Sequence, residues 1–417
     1  MRFGLFYELQ LPRPWQPDDE HRLFKNTLDE IELADRLGFD CVWTVEHHFL
    51  EEYSHCSSPE VLLAAASQRT KRIRLGHGIV QLPNEINPTA RVAERIGALD
   101  LISDGRVEFG TGEGSSVAEL HGFGVDWDSK REQWADNLDA VTRMMVEEPF
   151  AGWDGKWLKM PPRNVIPKPR QKPHPPLWVA CSQPSTIQLA AEKGIGALSF
   201  AFLDPAQAKS AVDSYYATLT SGACDPAGFA VNANIAIVLP LLCHADAETA
   251  LARGLQGSMF FGFALGHYYV FGTQRPGATD IWSAFANSST SGFGATGSQL
   301  AGTKAGDAAA TEKAGEDLLR GAIGTPERIR DVLTRYEEAG VDQVIFLVQA
   351  GRTQHDHICE SLELFARDVM PHFNGDEAAR DRAKAERLAP AIARAMARKS
   401  PPRSVDPAYE FVAAGRL

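Results

Sequence analysis

Positive charge is what this sequence has too little of. Its 42 lysines and arginines face 54 aspartates and glutamates, leaving a formal charge of −12 and a pI near 5.5. A protein that grips nucleic acid regardless of sequence needs a basic footprint to neutralise phosphates, and none is present. Cysteine is sparse: the six, at positions 41, 56, 181, 224, 243 and 359, include no CxxC pair. Such scattering fits reduced thiols, not a disulfide framework or a structural zinc site. No apolar stretch approaches the ~18 residues of a membrane span. The opening MRFGLFYE lacks a basic segment leading into a long apolar one, so a cytoplasmic protein is expected.

Core-forming residues are plentiful, at 44% hydrophobic against 23% charged. That supports one large domain with appendages as readily as two. Eight short apolar runs read as strands: RFGLFY (2–7), CVWTV (41–45), IRLGHGIVQL (73–82), RVEFGT (106–111), PLWVAC (176–181), ALSFAF (197–202), ANIAIVLPLL (233–242) and QVIFLVQA (343–350). Between them lie segments of helical period. In NTLDEIELADRLG (26–38), Leu28, Ile31, Leu33 and Leu37 fall near one face and Gly38 marks a stop. Others are 87–103, 129–147, 184–193, 205–219 and 325–339. Alternation of this kind implies parallel strands with right-handed crossovers, and eight units are the count of a TIM (β/α)8 barrel. The pattern alone leaves an open doubly wound sheet as the alternative.

Two regions interrupt the alternation. Residues 253–322, after the seventh strand, form a long Gly-rich insertion containing SSTSGFGATGSQLAGTKAGDAAATEKAG; connections of that length are lids or disordered. Residues 375–400 read as a charged, Ala-rich helix broken near Pro390, in a solvated or subunit-contacting tail. The expected division is a barrel domain over 1–373 and a helical tail over 374–417. No internal repeat appears beyond the alternation itself.

The stretch DCVWTVEHHFLEEY (40–53) runs from a strand straight into Glu46, His47 and His48. Burying such groups unpaired costs about 1–3 kcal/mol or more each, so they are a local network or a site. In a barrel, residues just past a strand's C-terminal end point into the active-site mouth. Two zinc ligands on one strand face would need a spacing of two, and these histidines are adjacent. An imidazole acting as base or hydrogen-bond donor is the functional reading, and a backbone-capping histidine the structural one. VEFGTGEGSS (107–116) carries G-x-G-x-G, which is not the dinucleotide fingerprint; its glycines admit a flat ligand or form a turn. In SQPSTIQLAAEKG (182–194), Ser182, Ser185 and Thr186 sit where a helix begins, suited to a phosphate or to ordinary capping. GTPERI (324–329) is explained by Thr325 as cap and Pro326 at the first helical position. Gly76 and Gly78, inside LGHGIVQLP, mark a bulge or a ligand pressed on backbone, and His77 reads as structural.

Together, FGLFYE, LGFDCVWTVEHHF, LGHGIVQLP, NPTARVAERIGALDLISDGRVEFGTGEG, SQPSTIQLAAEKG, GTPE and FARDVMPHF resemble the bacterial luciferase-like flavin monooxygenases over roughly residues 1–373, apart from the insertion. The resemblance implies a TIM barrel that takes reduced FMN from a separate flavin reductase. With molecular oxygen it forms a peroxyflavin that oxygenates a small organic substrate. It also implies a homodimer; from the charge, the hydropathy and the histidine spacing above, no nucleic-acid, membrane or metal partner is expected. It assigns active-site roles to His47, with Glu46 and His48 beside it. Gly78, Ile79, Gly112, Glu113, Ser182, Ser185 and Thr186 fall around the cofactor. One departure stands out: Glu113 occupies the place of a phosphate-binding arginine. A carboxylate there repels a phosphate, so another cation is required, with Arg170 and Lys168 as the candidates. A deazaflavin-dependent hydride-transfer enzyme on the same barrel, and a non-catalytic flavin-binding partner subunit, are the rival expectations. The apolar MFFGFALGHYYVF within the insertion is the candidate lid.

Overall fold

In the computed structural model, which describes residues 1–200, 203–288, 317, 319–375 and 377–411, the expected strands close on one another. They are β1 (Arg2–Tyr7), β2 (Cys41–Thr44), β3 (Arg74–His77), β4 (Val107–Gly112), β5 (Leu177–Cys181), β6 (Gly196–Ser199), β7 (Ile235–Cys243) and β8 (Gln343–Gln349). Each pairs in parallel with the next, and β8 returns to β1. The ring closes into a (β/α)8 barrel, and the open-sheet alternative falls because neither end strand of the eight is left as an edge.

The crossover helices are α1 (Asp19–Leu37), α2 (Pro59–Arg69), α3 (Thr89–Ile102), α4 (Val117–Phe123), α5 (Lys130–Val146), α6 (Pro184–Glu192), α7 (Pro205–Thr220), α8 (Ala247–Gly266), α9 (Ile281–Asn287), α10 (Pro326–Glu338) and α11 (His355–Asp368). Local chemistry starts several of them. Asp204, Asp246 and Thr325 accept hydrogen bonds from first-turn N–H groups, and Pro184, Pro205 and Pro326 open their helices where no donor is needed.

Inside the barrel, the parallel register puts Phe6, Trp43, Gly76, Glu108, Trp178, Gly196 and Gln343 on the inward face. Trp43 and Trp178 meet edge to face at 5.3 Å and fill the interior. Glycine is required opposite them: a Cβ on Gly76 or Gly196 would lie 2.3 Å from the facing indole. The outward face packs under the helices, where Phe3, Phe346 and Phe365 form one aromatic cluster.

Four expectations need correction. α1 begins at Asp19, not 26, because Asp19 and Glu20 supply the acidic first turn that a helix N-terminus favours and Leu23 joins the core. The third strand stops at His77 and resumes as Val80–Gln81, with the break at Gly78 and Ile79. The first half of the insertion is helix, not loop. α8 passes into a π-helical turn at His267–Phe271 and then α9, with Phe260, Phe261, Ala264 and Phe285 buried. Residues 289–316, and any lid role expected of them, lie outside the described residues, as do 201–202 of the expected sixth strand. Finally, Pro390 does not break the tail helix α12 (Glu377–Met396). Leu388, Ala391 and Ala395 continue one buried face across it, and Glu386, whose carbonyl loses its helical donor, is exposed to water. α12 lies across the N-terminal ends of the strands, tied by Arg2 to Glu377 at 2.9 Å and by Lys384 to Asp342 at 2.6 Å.

Candidate active site at the barrel mouth

The C-terminal ends of β1 and β2 and the helix α4 meet at one histidine. His47 follows β2, and its Nδ1 lies 3.0 Å from Glu119 Oε1 on α4. Its Nε2 lies 3.6 Å from Glu8 Oε2, just past β1. Both carboxylates are almost fully buried, at 1% and 2% exposure. Burial alone would strip the proton from His47, but Glu119 and Glu8, with Glu46 behind them, push its pKa up to about 9. Glu8 is itself pushed up to about 7 by burial, against the pull of His47 and of the Tyr53 hydroxyl, which donates to Oε1 at 3.0 Å. The site therefore holds an imidazolium at neutral pH beside a carboxyl that titrates there.

Glu46 and His48 form a separate frame. Glu46 accepts from Gln81 N at 2.8 Å and from Asn87 Nδ2 at 2.7 Å, and lies 3.1 Å from His48 Nε2. The His48 ring stands edge-on to Phe123 at 4.9 Å. α4 thus holds both histidines, one through Glu119 and one through Phe123. Between them Glu119 Oε1 also accepts from His48 N and from Gln81 Nε2, each at 2.9 Å. Phe49 takes a left-handed φ of 65°, a strained conformation for a bulky residue. Its ring fits only because residue 122 is glycine, where a Cβ would sit 2.5 Å from it.

Across the mouth, Gly78 N donates to Thr44 O at 2.6 Å, and a Cβ on Gly112 would meet the Ile79 side chain at 2.8 Å. Ile79 therefore lies down over β4 as a half-exposed aliphatic floor. On the next strand, Ser182 and Ser185 are exposed and Thr186 is half-buried. None of their hydroxyls caps α6 or bonds elsewhere among the described residues. Glu113 is not a bare negative charge. Lys130 Nζ reaches its Oε1 at 2.8 Å and Arg131 Nε its Oε2 at 2.9 Å, which holds its carboxyl below the ordinary range despite burial.

The suggested substitutes fail. Lys168 donates to the carbonyls of Met144 and Glu147, at 2.7 Å each, and Arg170 lies against Gly105, so both belong to the opposite end of the barrel. His77 is buried, with its pKa pushed down to about 4 by burial, a neutral core imidazole.

An aromatic wall completes the mouth. Tyr53 lies 5.6 Å from the His47 ring and Tyr269, on the π-helical turn, 6.5 Å from it. Tyr268 and Phe261 pack on Tyr53 at 6.1 and 5.7 Å. Sequence reading did not single out Glu8, Tyr53, Gln81, Glu119, Lys130 or Arg131, and it met Tyr269 only within the candidate lid MFFGFALGHYYVF. Glu8 had a signal: it is the first residue past β1, where a polar side chain in a barrel points to the mouth.

The model of one protein family, described as luciferase-like monooxygenase, matches residues 1–343. Limonene 1,2-monooxygenase of Rhodococcus erythropolis is 27% identical over 377 residues, covering 87% of this chain and 85% of that protein. With several other curated relatives the match spans only about half of their length, 48%, 54% and 49% in three of them. The oxygenating constituent of a Pseudomonas putida 3,6-diketocamphane monooxygenase, solved with FMN, superposes with a TM-score of 0.64 at 20% identity, covering 89% of this chain and 98% of that one. A coenzyme F420-dependent tetrahydromethanopterin reductase of Methanopyrus kandleri gives 0.61 at 19%, covering 89% and 99%. Those two likenesses establish the fold.

Proposed function

The chain belongs to the luciferase-like monooxygenase family, and from that membership we propose that it is the oxygenase of a two-component system. It takes reduced FMN from a separate reductase and uses molecular oxygen to oxygenate a small organic substrate. The cofactor would supply the electrons that activate oxygen; the protein's share is binding, orientation and proton control.

The mouth fits such a group. Ile79, lying over Gly112 at the Gly78 break, offers a flat apolar floor to a planar ring system. Ser182, Ser185 and Thr186, at the start of α6, offer uncommitted hydroxyls to its phosphate. Arg131, and behind it Lys130, supply the positive charge that Glu113 lacks; Glu113 then acts as their tether and not as a repelling neighbour.

One observation carries the catalytic part: a buried carboxylate, Glu119, pins the Nδ1 of a protonated His47 in the mouth. An imidazolium so held donates a hydrogen bond, or its proton, to an oxygen that gains charge as it reacts. Glu46, His48, Gln81 and Asn87 keep the frame rigid. Tyr268 and Tyr269, carried by the π-helical turn, cover the same side and help exclude water. Val61 on α2 and Leu101 and Ile102 on α3, exposed at 66%, 45% and 50%, support a homodimer through these helices.

Hydride transfer with a deazaflavin is the second reading, supported by the F420-dependent neighbour on the same fold. The test of the oxygenase reading is stoichiometry. With a flavin reductase, FMN and oxygen, a true substrate suppresses peroxide release in proportion to product formed. Peroxide output unchanged by every organic compound in a broad panel contradicts the reading.

A further inference from the structure

The mouth contains an acceptor that nothing among the described residues satisfies. Glu8 Oε1 takes the Tyr53 hydroxyl, but Glu8 Oε2, in a side chain 2% exposed by residue, has no hydrogen-bond partner among the described residues. The facing donor, His47 Nε2, stands 3.6 Å away, just beyond hydrogen-bond length. Leaving a buried carboxylate oxygen unpaired costs about 1–3 kcal/mol or more, so its persistence at the C-terminal end of β1 calls for a partner that arrives from outside. That partner must accept from one nitrogen and donate to one oxygen at the same time. Among simple organic groups, a hydroxyl does both.

The surroundings say what carries the hydroxyl. Tyr53 and Tyr269 stand 6.2 Å apart, and both border the His47 ring. Tyr268 and Phe261 extend the wall. Faces and edges of this kind favour another ring over a flexible alkyl chain. We propose that the substrate is a hydroxylated aromatic compound, a phenol or hydroxyarene. Its O–H bridges His47 Nε2 and Glu8 Oε2 while its ring packs on Tyr269. The inference rests on the oxygenase reading for what happens next, but the recognition itself involves only this chain's groups. Glu8 selects the hydroxyl; Tyr269 selects the ring.

The experiment is calorimetric titration of the flavin-free protein at pH 8, between the pKa values of about 7 and about 9 that keep Glu8 ionised and His47 charged. Three probes of matched size are used: 1-naphthol, 1-methoxynaphthalene, which accepts but cannot donate, and decahydro-1-naphthol, which keeps the hydroxyl but not the ring. The wild-type protein is expected to bind 1-naphthol about ten-fold or more tighter than either analogue, since a missing donor leaves Glu8 unpaired again. Glu8→Met is expected to erase the preference over the ether while keeping that over the saturated alcohol. Tyr269→Ala is expected to do the reverse. Equal wild-type binding of 1-naphthol and its ether, the outcome if only water bridges the pair, overturns the proposal without any variant having to fold. So does a hydroxyl preference that survives in folded Glu8→Met. Titration of the same wild-type batch with reduced FMN separates the two claims. Hydroxyl selection without flavin binding leaves the inference standing and removes the oxygenase reading; flavin binding without hydroxyl selection does the opposite.

Discussion

The two ends of the barrel use charge in opposite ways. At the N-terminal end, beneath α12, each ionised group has its own partner. Asp342 accepts from Lys384 at 2.6 Å, from Tyr216 at 2.6 Å and from Ile235 N at 2.8 Å, and Asp342, Lys384 and Arg2 line a small cavity of about 180 Å³. At the mouth, three buried carboxylates, Glu8, Glu46 and Glu119, gather around two histidines, and one oxygen is left over. The first arrangement resembles a fastening, worth little beyond holding the tail in place. The second raises the pKa of Glu8 to about 7 and of His47 to about 9 and leaves an acceptor without a partner among the described residues, as reactive sites do. Counting charges would not separate the two ends; counting satisfied atoms does.

The largest expected effect comes from removing the imidazolium. His47→Ala should cut coupled oxygenation about 100-fold or more and raise peroxide release, with circular dichroism unchanged. Coupled turnover within a few-fold of wild type would make the mouth no different from the opposite end. Next is Glu119→Gln. The folded-state pKa of His47, about 9, lies above the ordinary 6.5, so the imidazolium and its pairing are fully present below the ordinary value and are lost as pH rises through about 9. Deleting the strongest favourable charge should therefore move the alkaline limb of kcat/KM toward lower pH. The limb should stay put in Lys384→Met, at the other end. That change should cost about 1–3 kcal/mol in denaturant unfolding by leaving Asp342 short of a partner, the smallest functional effect of the three. An alkaline limb that moved equally in both variants would erase the distinction between the ends.

Much of this fold is written locally. β-branched runs, proline at helix starts and the step from strand to helical period make eight strands readable without coordinates, and His47 stands out because ionisable groups rarely follow a strand without reason. The partners of His47 are not local. Glu8 and Glu119 reach it only because β1, β2, β3 and β4 pair in succession, so no spacing along the chain announces them. The same holds for Glu113, whose cations come from α5 after the intervening turn of α4. Pro390 misled for the opposite reason: a local breaker was overridden by a buried face that continued past it.

Anaerobic titration with reduced FMN and, in parallel, with reduced deazaflavin, followed by admission of oxygen, tests the central claim most directly. The account predicts saturable binding of reduced FMN, weakened in Arg131→Ala far more for FMN than for riboflavin, and reoxidation by oxygen that depends on His47. Binding of deazaflavin alone, with no oxygen-dependent step, would contradict it.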